Sequence, residues 1–235
     1  MTAELKASRS DATLILTMSN PGLQNALDSD LLVAAIETFT KTERDDSICC
    51  VILSGADLDF CSGMQASKDL GTQIEALEKL QHLIDTVRNF PKPVIAAVEG
   101  LAMDAGFSLA LACDLIVASQ RAGFGISPGQ VGTWAIGGAP WLLSKTLPAQ
   151  WLTEILLDPS PLTAARLYSA GLVNKLVANG SVLTHAQQWA AQLSSNAAAN
   201  FEKLNTLLDD IAGTTLNSHF ALERHRLLTK RPGLS

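Results

Sequence analysis

Positive charge is in short supply. The 235-residue chain carries 17 Lys and Arg against 23 Asp and Glu, a formal net charge of −6. Non-specific nucleic-acid binding depends on clustered cations, so no nucleic-acid partner is expected. The nearest approach to such a cluster is Arg224, Arg226, Lys230 and Arg231, which reads as a solvated helix face or as a receiver of phosphates. Cysteine is limited to Cys49, Cys50, Cys61 and Cys113, all within apolar runs and none in a C-x-x-C pair. Reduced, buried thiols in a cytoplasmic protein are expected. His82, His185, His219 and His225 lack metal-ligand spacing, so no metal is expected. No apolar stretch is long enough to span a bilayer, and MTAELKASRSDATLILTM lacks signal-peptide architecture. Internal repeats and low-complexity segments are missing as well.

What is present is a globular composition, 47% hydrophobic and 17% charged, of a length that suits one domain with a small appendage. ATLILTM (12–18) reads as a strand broken by SNPG. Residues 28–42 read as an amphipathic helix with Leu31, Leu32, Ala35, Ile36 and Phe39 on one face. ICCVILS (48–54), VIAAV (94–98) and LIVAS (115–119) are continuous apolar runs, the pattern of strands covered on both faces. A long helix is expected over 72–90. Beyond residue 137 only helices are expected, so the chain reads as a β/α core with a helical tail.

GISPG (125–129) has the G-x-S-x-G form of a nucleophile elbow centred on Ser127. An elbow requires an N–H donor after the serine and a helix beyond it. Pro128 has no N–H, and GQVGTW shows no helical period. Ser127 is therefore expected to be a loop residue, and a serine hydrolase is the least supported reading.

Two other junctions are chemically more promising. FCSGMQASKDL (60–70) and EGLAMDAGFSLALACD (99–114) each carry small residues from a buried strand into a helix. Helix starts expose unpaired N–H groups, and two converging on one point would form an oxyanion hole from backbone alone. The alternative is that small residues merely allow tight helix–sheet packing; both stay open on these grounds.

IAAVEGLAMDAGFSLALACDLIVAS, FCSGMQ after VILSG, and NPGLQNAL (20–27) resemble, in order and spacing, the crotonase or enoyl-CoA hydratase/isomerase superfamily from about residue 11 to 193. The resemblance implies an α/β spiral of ββα units over 1–193. It also implies a helical segment over 194–235 that serves oligomerisation or covers the active site, and assembly as homotrimers or dimers of trimers. It further implies an acyl-CoA substrate, coenzyme A entering as part of that substrate and no cofactor bound covalently. The thioester oxygen would lie between the N–H groups of Met64 and Ala105. Coenzyme A contacts would come from Asn25, Ala26, Leu27, Ser62, Gly63, Gln65 and Ala66, with Lys230 near the phosphates. Asp104 stands where the family usually has glycine.

The acids of the resemblance are missing. Its two hydratase glutamates fall on Ser108 and Pro128, and a third acidic position, used by some isomerases, falls on Ile136. General acid–base work needs a titratable group in reach, so ordinary two-glutamate hydration is doubtful. Asp85 is the candidate replacement, with a surface residue of an amphipathic helix as its bland alternative; Lys68 and His219 are weaker candidates. The expected function is a diverged enoyl-CoA hydratase or isomerase, with a non-catalytic acyl-CoA binder as the alternative.

Overall fold

In the computed structural model, residues 3–127 and 136–193 are described, together with Phe201 and Leu204. Strands β1 (Glu4–Ser10), β2 (Thr13–Ser19), β3 (Cys50–Gly55), β4 (Val94–Val98), β6 (Leu115–Ser119) and β9 (Lys175–Val177) form one sheet in the order β1-β2-β3-β4-β6-β9. Only β1 and β2 pair antiparallel; the rest of this sheet is parallel. A second sheet comprises β5 (Leu101–Met103), β7 (Gly123–Gly125) and β8 (Leu162–Thr163).

Helices α1 (Ser29–Glu43), α2 (Leu70–Arg88) and α3 (Ala105–Ala112) belong to the larger of two apolar cores. Helices α4 (Ala139–Ser144), α5 (Ala149–Leu157) and α6 (Ala164–Ser169) extend it. Helix α7 (Val182–Leu193) covers the other sheet face, setting Val182, Ala186 and Ala190 against Ile15, Cys50, Ile52, Ile95, Ala97 and Val117. Both faces of β3 and β4 are thus covered, which is why their sequences are unbroken apolar runs. Asp28 starts α1 by accepting a hydrogen bond from the Leu31 N–H (2.8 Å), and Leu31, Leu32, Ala35 and Phe39 become its buried stripe. At the other end the buried Lys92 ammonium donates to the carbonyls of Thr42 and Asp45, each at 2.7 Å.

The structure adds elements the periodicity does not reveal. Strand β1, ELKASRS, is largely exposed and has no apolar alternation; it exists through its seven-residue pairing with β2. Strands β5, β7, β8 and β9 have two or three residues each, too few for any period to register. Of these, β8 and β9 correct the expectation of helices alone beyond residue 137. The segment 194–235, expected to be helical, lies outside the described residues apart from Phe201 and Leu204.

Candidate active site

The turn after β3 is held by neutral amides. Asn25 is buried, and its Nδ2 donates to the carbonyls of Ala56 (2.8 Å) and Asp59 (2.9 Å) while its Oδ1 accepts from the Asn20 N–H (3.2 Å). Asn20 in turn donates through Nδ2 to the Ala26 carbonyl (2.8 Å). Asp59 carries the restraint across to the second turn, accepting from the Leu101 N–H (2.9 Å).

This framework sets the direction of the Met64 amide. Leu27 and Met64 form a parallel bridge in which the Leu27 N–H donates to Gly63 and the Leu27 carbonyl accepts from Gln65. In a parallel bridge the residue opposite turns its own N–H to the other side, so Met64 points its amide away from Leu27. Cys61 bridges Ala102 on β5, with the Met103 N–H donating to its carbonyl (2.9 Å). The 60–65 segment is thereby clamped between Leu27 and the strand leading into α3.

At the second turn, Ala105 is the first residue of α3, where a helical N–H has no partner four residues back. The capping position is Asp104, yet its side chain makes no capping hydrogen bond. Its carboxylate leaves the helix for Ser127, with Oδ1 accepting from the Ser127 N–H and Oδ2 from its hydroxyl, each at 2.7 Å. Neither the Met64 nor the Ala105 N–H donates in any hydrogen bond among the described residues.

The two turns touch. A Cβ placed on Gly63, whose φ is +115°, would lie 3.1 Å from the Asp104 Cβ and 3.6 Å from the Met103 carbonyl oxygen. A Cβ on Gly106 would lie 2.3 Å from the Cys61 carbonyl oxygen. The residues preceding the two unclaimed amides are therefore in contact. Buried beneath them is Cys61, whose thiol is pushed up to about 12 by burial. It is no nucleophile at neutral pH.

Residues 8–230 match the enoyl-CoA hydratase/isomerase family profile. The chain belongs to that family. The match extends beyond residue 193, where the likeness in the motifs fades. Over 191 residues the chain is 32% identical to enoyl-CoA hydratase EchA19 of Mycobacterium tuberculosis, covering 78% of this chain and 72% of that protein. It is 27% identical to the 1,2-epoxyphenylacetyl-CoA isomerase of Escherichia coli, covering 90% and 84%. A crystal structure of an enoyl-CoA hydratase from Polaromonas sp. JS666 superimposes with a TM-score of 0.88 at 37% identity, covering 95% of this chain and 90% of that one. The fold is thus the expected crotonase type.

Of the positions where the motifs lead one to expect acids, Ser108 and Ile136 are among the described residues. Ser108 is fully buried, and its hydroxyl donates to the Asp104 carbonyl (3.3 Å). A Cβ on Gly137 would stand 2.8 Å from the Ser108 Cβ, so the 136–138 turn occupies the room that a longer side chain at 108 would need. Ile136 opens that turn with its backbone. Pro128, His219 and Lys230 lie outside the described residues.

Asp85 requires a correction as an acid–base candidate. Residues Leu80, Leu83, Ile84 and Val87 form the buried side of α2, whereas Asp85 lies exposed and accepts a hydrogen bond from Asn89 (2.9 Å). Helical geometry turned it outward because the apolar stripe passes on either side of it. Lys68 is exposed too. The elbow reading also fails on geometry, since the Ser127 hydroxyl donates to a carboxylate and not to an imidazole base.

The proposed coenzyme A contacts divide. The Leu27 N–H and carbonyl already pair with Gly63 and Gln65, the Ala26 N–H donates to Leu23, and the Asn25 side chain is spent on the turn. Their visible role is to hold the site. The Ser62 hydroxyl donates to the Leu23 carbonyl (2.8 Å), while Gln65 and Ala66 are exposed. Sequence reading passed over the Asp104–Ser127 pair as an interacting unit. Its only signals were an aspartate in a glycine position and a serine inside a motif that pointed to other chemistry.

Proposed function

We propose that this chain binds an acyl-CoA thioester, with its carbonyl oxygen between the N–H groups of Met64 and Ala105, and acts as a diverged enoyl-CoA hydratase or isomerase. The observation that carries the reading is the pair of unclaimed amides on turns in direct contact. Such donors stabilise an oxygen that becomes negative, so the reaction class is one passing through an enolate or a tetrahedral oxyanion. The hydratase and isomerase names of the relatives support the same range. Lys230 is proposed to meet the coenzyme A phosphates, and the assembly to be a homotrimer or a dimer of trimers. No helix among the described residues is long and apolar enough to cross a membrane.

The test compares calorimetric binding of butyryl-CoA with that of its thioether analogue, which lacks the carbonyl oxygen. Two hydrogen bonds at about 0.5–1.5 kcal/mol each predict a preference for the thioester of roughly 5- to 150-fold. Equal affinities would remove the oxyanion hole from the proposal.

A second reading, a non-catalytic acyl-CoA binder, is favoured by the exposed Asp85 and by the packing of Ser108 against Gly137. It predicts thioester binding without turnover across a panel of saturated and unsaturated acyl-CoAs.

A further inference from the structure

We propose that the Asp104 carboxylate, paired with Ser127, is the acid–base group of this site; the inference rests on the acyl-CoA reading above. Asp104 immediately precedes Ala105, one proposed donor, and its Cβ abuts Gly63, which immediately precedes Met64, the other. Its Oδ2 comes within 3.5 Å of the place where a Gly63 Cβ would stand. The α-carbon of a bound thioester is only two covalent bonds from the carbonyl oxygen that these donors would hold. Other acids of the region have different work: Asp59 accepts from Leu101 and Gln24, Asp69 caps α2, and Asp85 faces outward.

The residue is also expensive to keep. Asp104 has φ +50° and ψ −116°, a conformation easy for glycine and strained by about 1–3 kcal/mol for a residue with a Cβ. It forgoes the capping hydrogen bond that an aspartate at a helix start commonly makes, worth about 1 kcal/mol. Both carboxylate oxygens are instead fixed by Ser127, which is exposed and so connects the pair to solvent.

The step balances without a co-reactant. An Asp104 oxygen takes the α-proton, and the C–H bond pair becomes the C=C of an enolate. The carbonyl π pair moves onto the oxygen between the two amides. The carboxylate loses its charge as the enolate gains one, so the net charge of the site is unchanged and repulsion between the two does not build up. The proton then returns to carbon or passes to water through the Ser127 hydroxyl.

The experiment measures deuterium uptake at the α-carbon of butyryl-CoA in heavy water by mass spectrometry. The full chain is compared with Asp104→Asn and Asp104→Gly, all saturated with ligand as established by calorimetry. The wild type is expected to exchange, and both variants to exchange at least about 100-fold more slowly while still binding. Asp104→Gly guards against misfolding, because glycine adopts the local backbone freely; its melting temperature is expected to rise. Exchange in either folded variant within about threefold of wild type overturns the assignment, since that is far below the effect of removing a general base. A wild type that binds butyryl-CoA without exchanging it also overturns the assignment, yet leaves the binding proposal standing. Failure to bind at all sinks the binding proposal itself.

Discussion

The two turns reach the same end by different means. At residues 60–65 the Met64 amide is freed by strand-like pairing, because the bridge to Leu27 engages the residues on either side of it. At residues 101–105 the Ala105 amide is freed by the start of a helix whose cap has turned elsewhere. The first depends on long-range hydrogen bonds from neutral amide side chains, and the second on local helix geometry. Disturbance of the first frame should therefore reach the fold's interior, whereas the second should tolerate chemical change better.

The largest effect is expected where the turns meet. A side chain on Gly106 would overlap the Cys61 backbone at 2.3 Å, and a main-chain carbonyl cannot swing aside as a side chain can. Gly106→Val should destabilise the chain by more than about 4 kcal/mol or prevent soluble expression, as a severe steric conflict in a packed core does. Denaturant unfolding of any soluble product would check this, and a loss below about 1 kcal/mol would show that the turns are not pressed together.

Next in size is the first frame alone. Asn25→Ala removes both Nδ2 donations and leaves the carbonyls of Ala56 and Asp59 short of a partner, at a site with φ +58° that alanine tolerates poorly. A loss of about 2–4 kcal/mol is expected. Thioester affinity should fall with it, because the Met64 amide loses its fixed direction. Asn25→Gly, which removes the backbone strain but not the lost hydrogen bonds, should recover about 1 kcal/mol. Thermal melts of the two variants separate these contributions; equal losses would mean that the positive φ costs nothing here.

Sequence reading served the two regions unequally, for a physical reason. Strands β3 and β4 and helix α1 were legible because burial on two faces, or on one stripe, writes a pattern into neighbouring residues. The sites of both amides were legible through small residues at strand–helix junctions and through the motifs surrounding them. The role of Asn25 was not legible, since its partners at 56 and 59 lie more than thirty positions away. Nor was the outward face of Asp85, where neighbours Leu83, Ile84 and Val87 left the stripe ambiguous. Asp104 stood out as an aspartate at a glycine position, but its meaning required Ser127, 23 residues on.

The smallest expected effect separates the frames by charge. The first turn is pinned by the amides of Asn20 and Asn25, whereas the segment after α3 is tied to β4 by Asp114, whose carboxylate accepts from the Val94 N–H (2.8 Å). Burial raises the Asp114 carboxyl to about 6, outweighing the lowering by hydrogen bonds and Arg88. A group whose pKa is raised in the folded state contributes stability that is fully present below its unfolded value and lost as pH rises through about 6. Asp114→Asn keeps an acceptor for Val94 and removes the ionisation, so the variant should gain on the wild type between about pH 4 and about pH 7. Because Asp114 as a whole residue is exposed, although its carboxyl is desolvated, solvent screening is expected to keep the gain below about 1 kcal/mol. Paired denaturation curves at the two pH values decide it. A difference between the proteins that does not change with pH would place the ionisation of Asp114 outside the stability of the second frame.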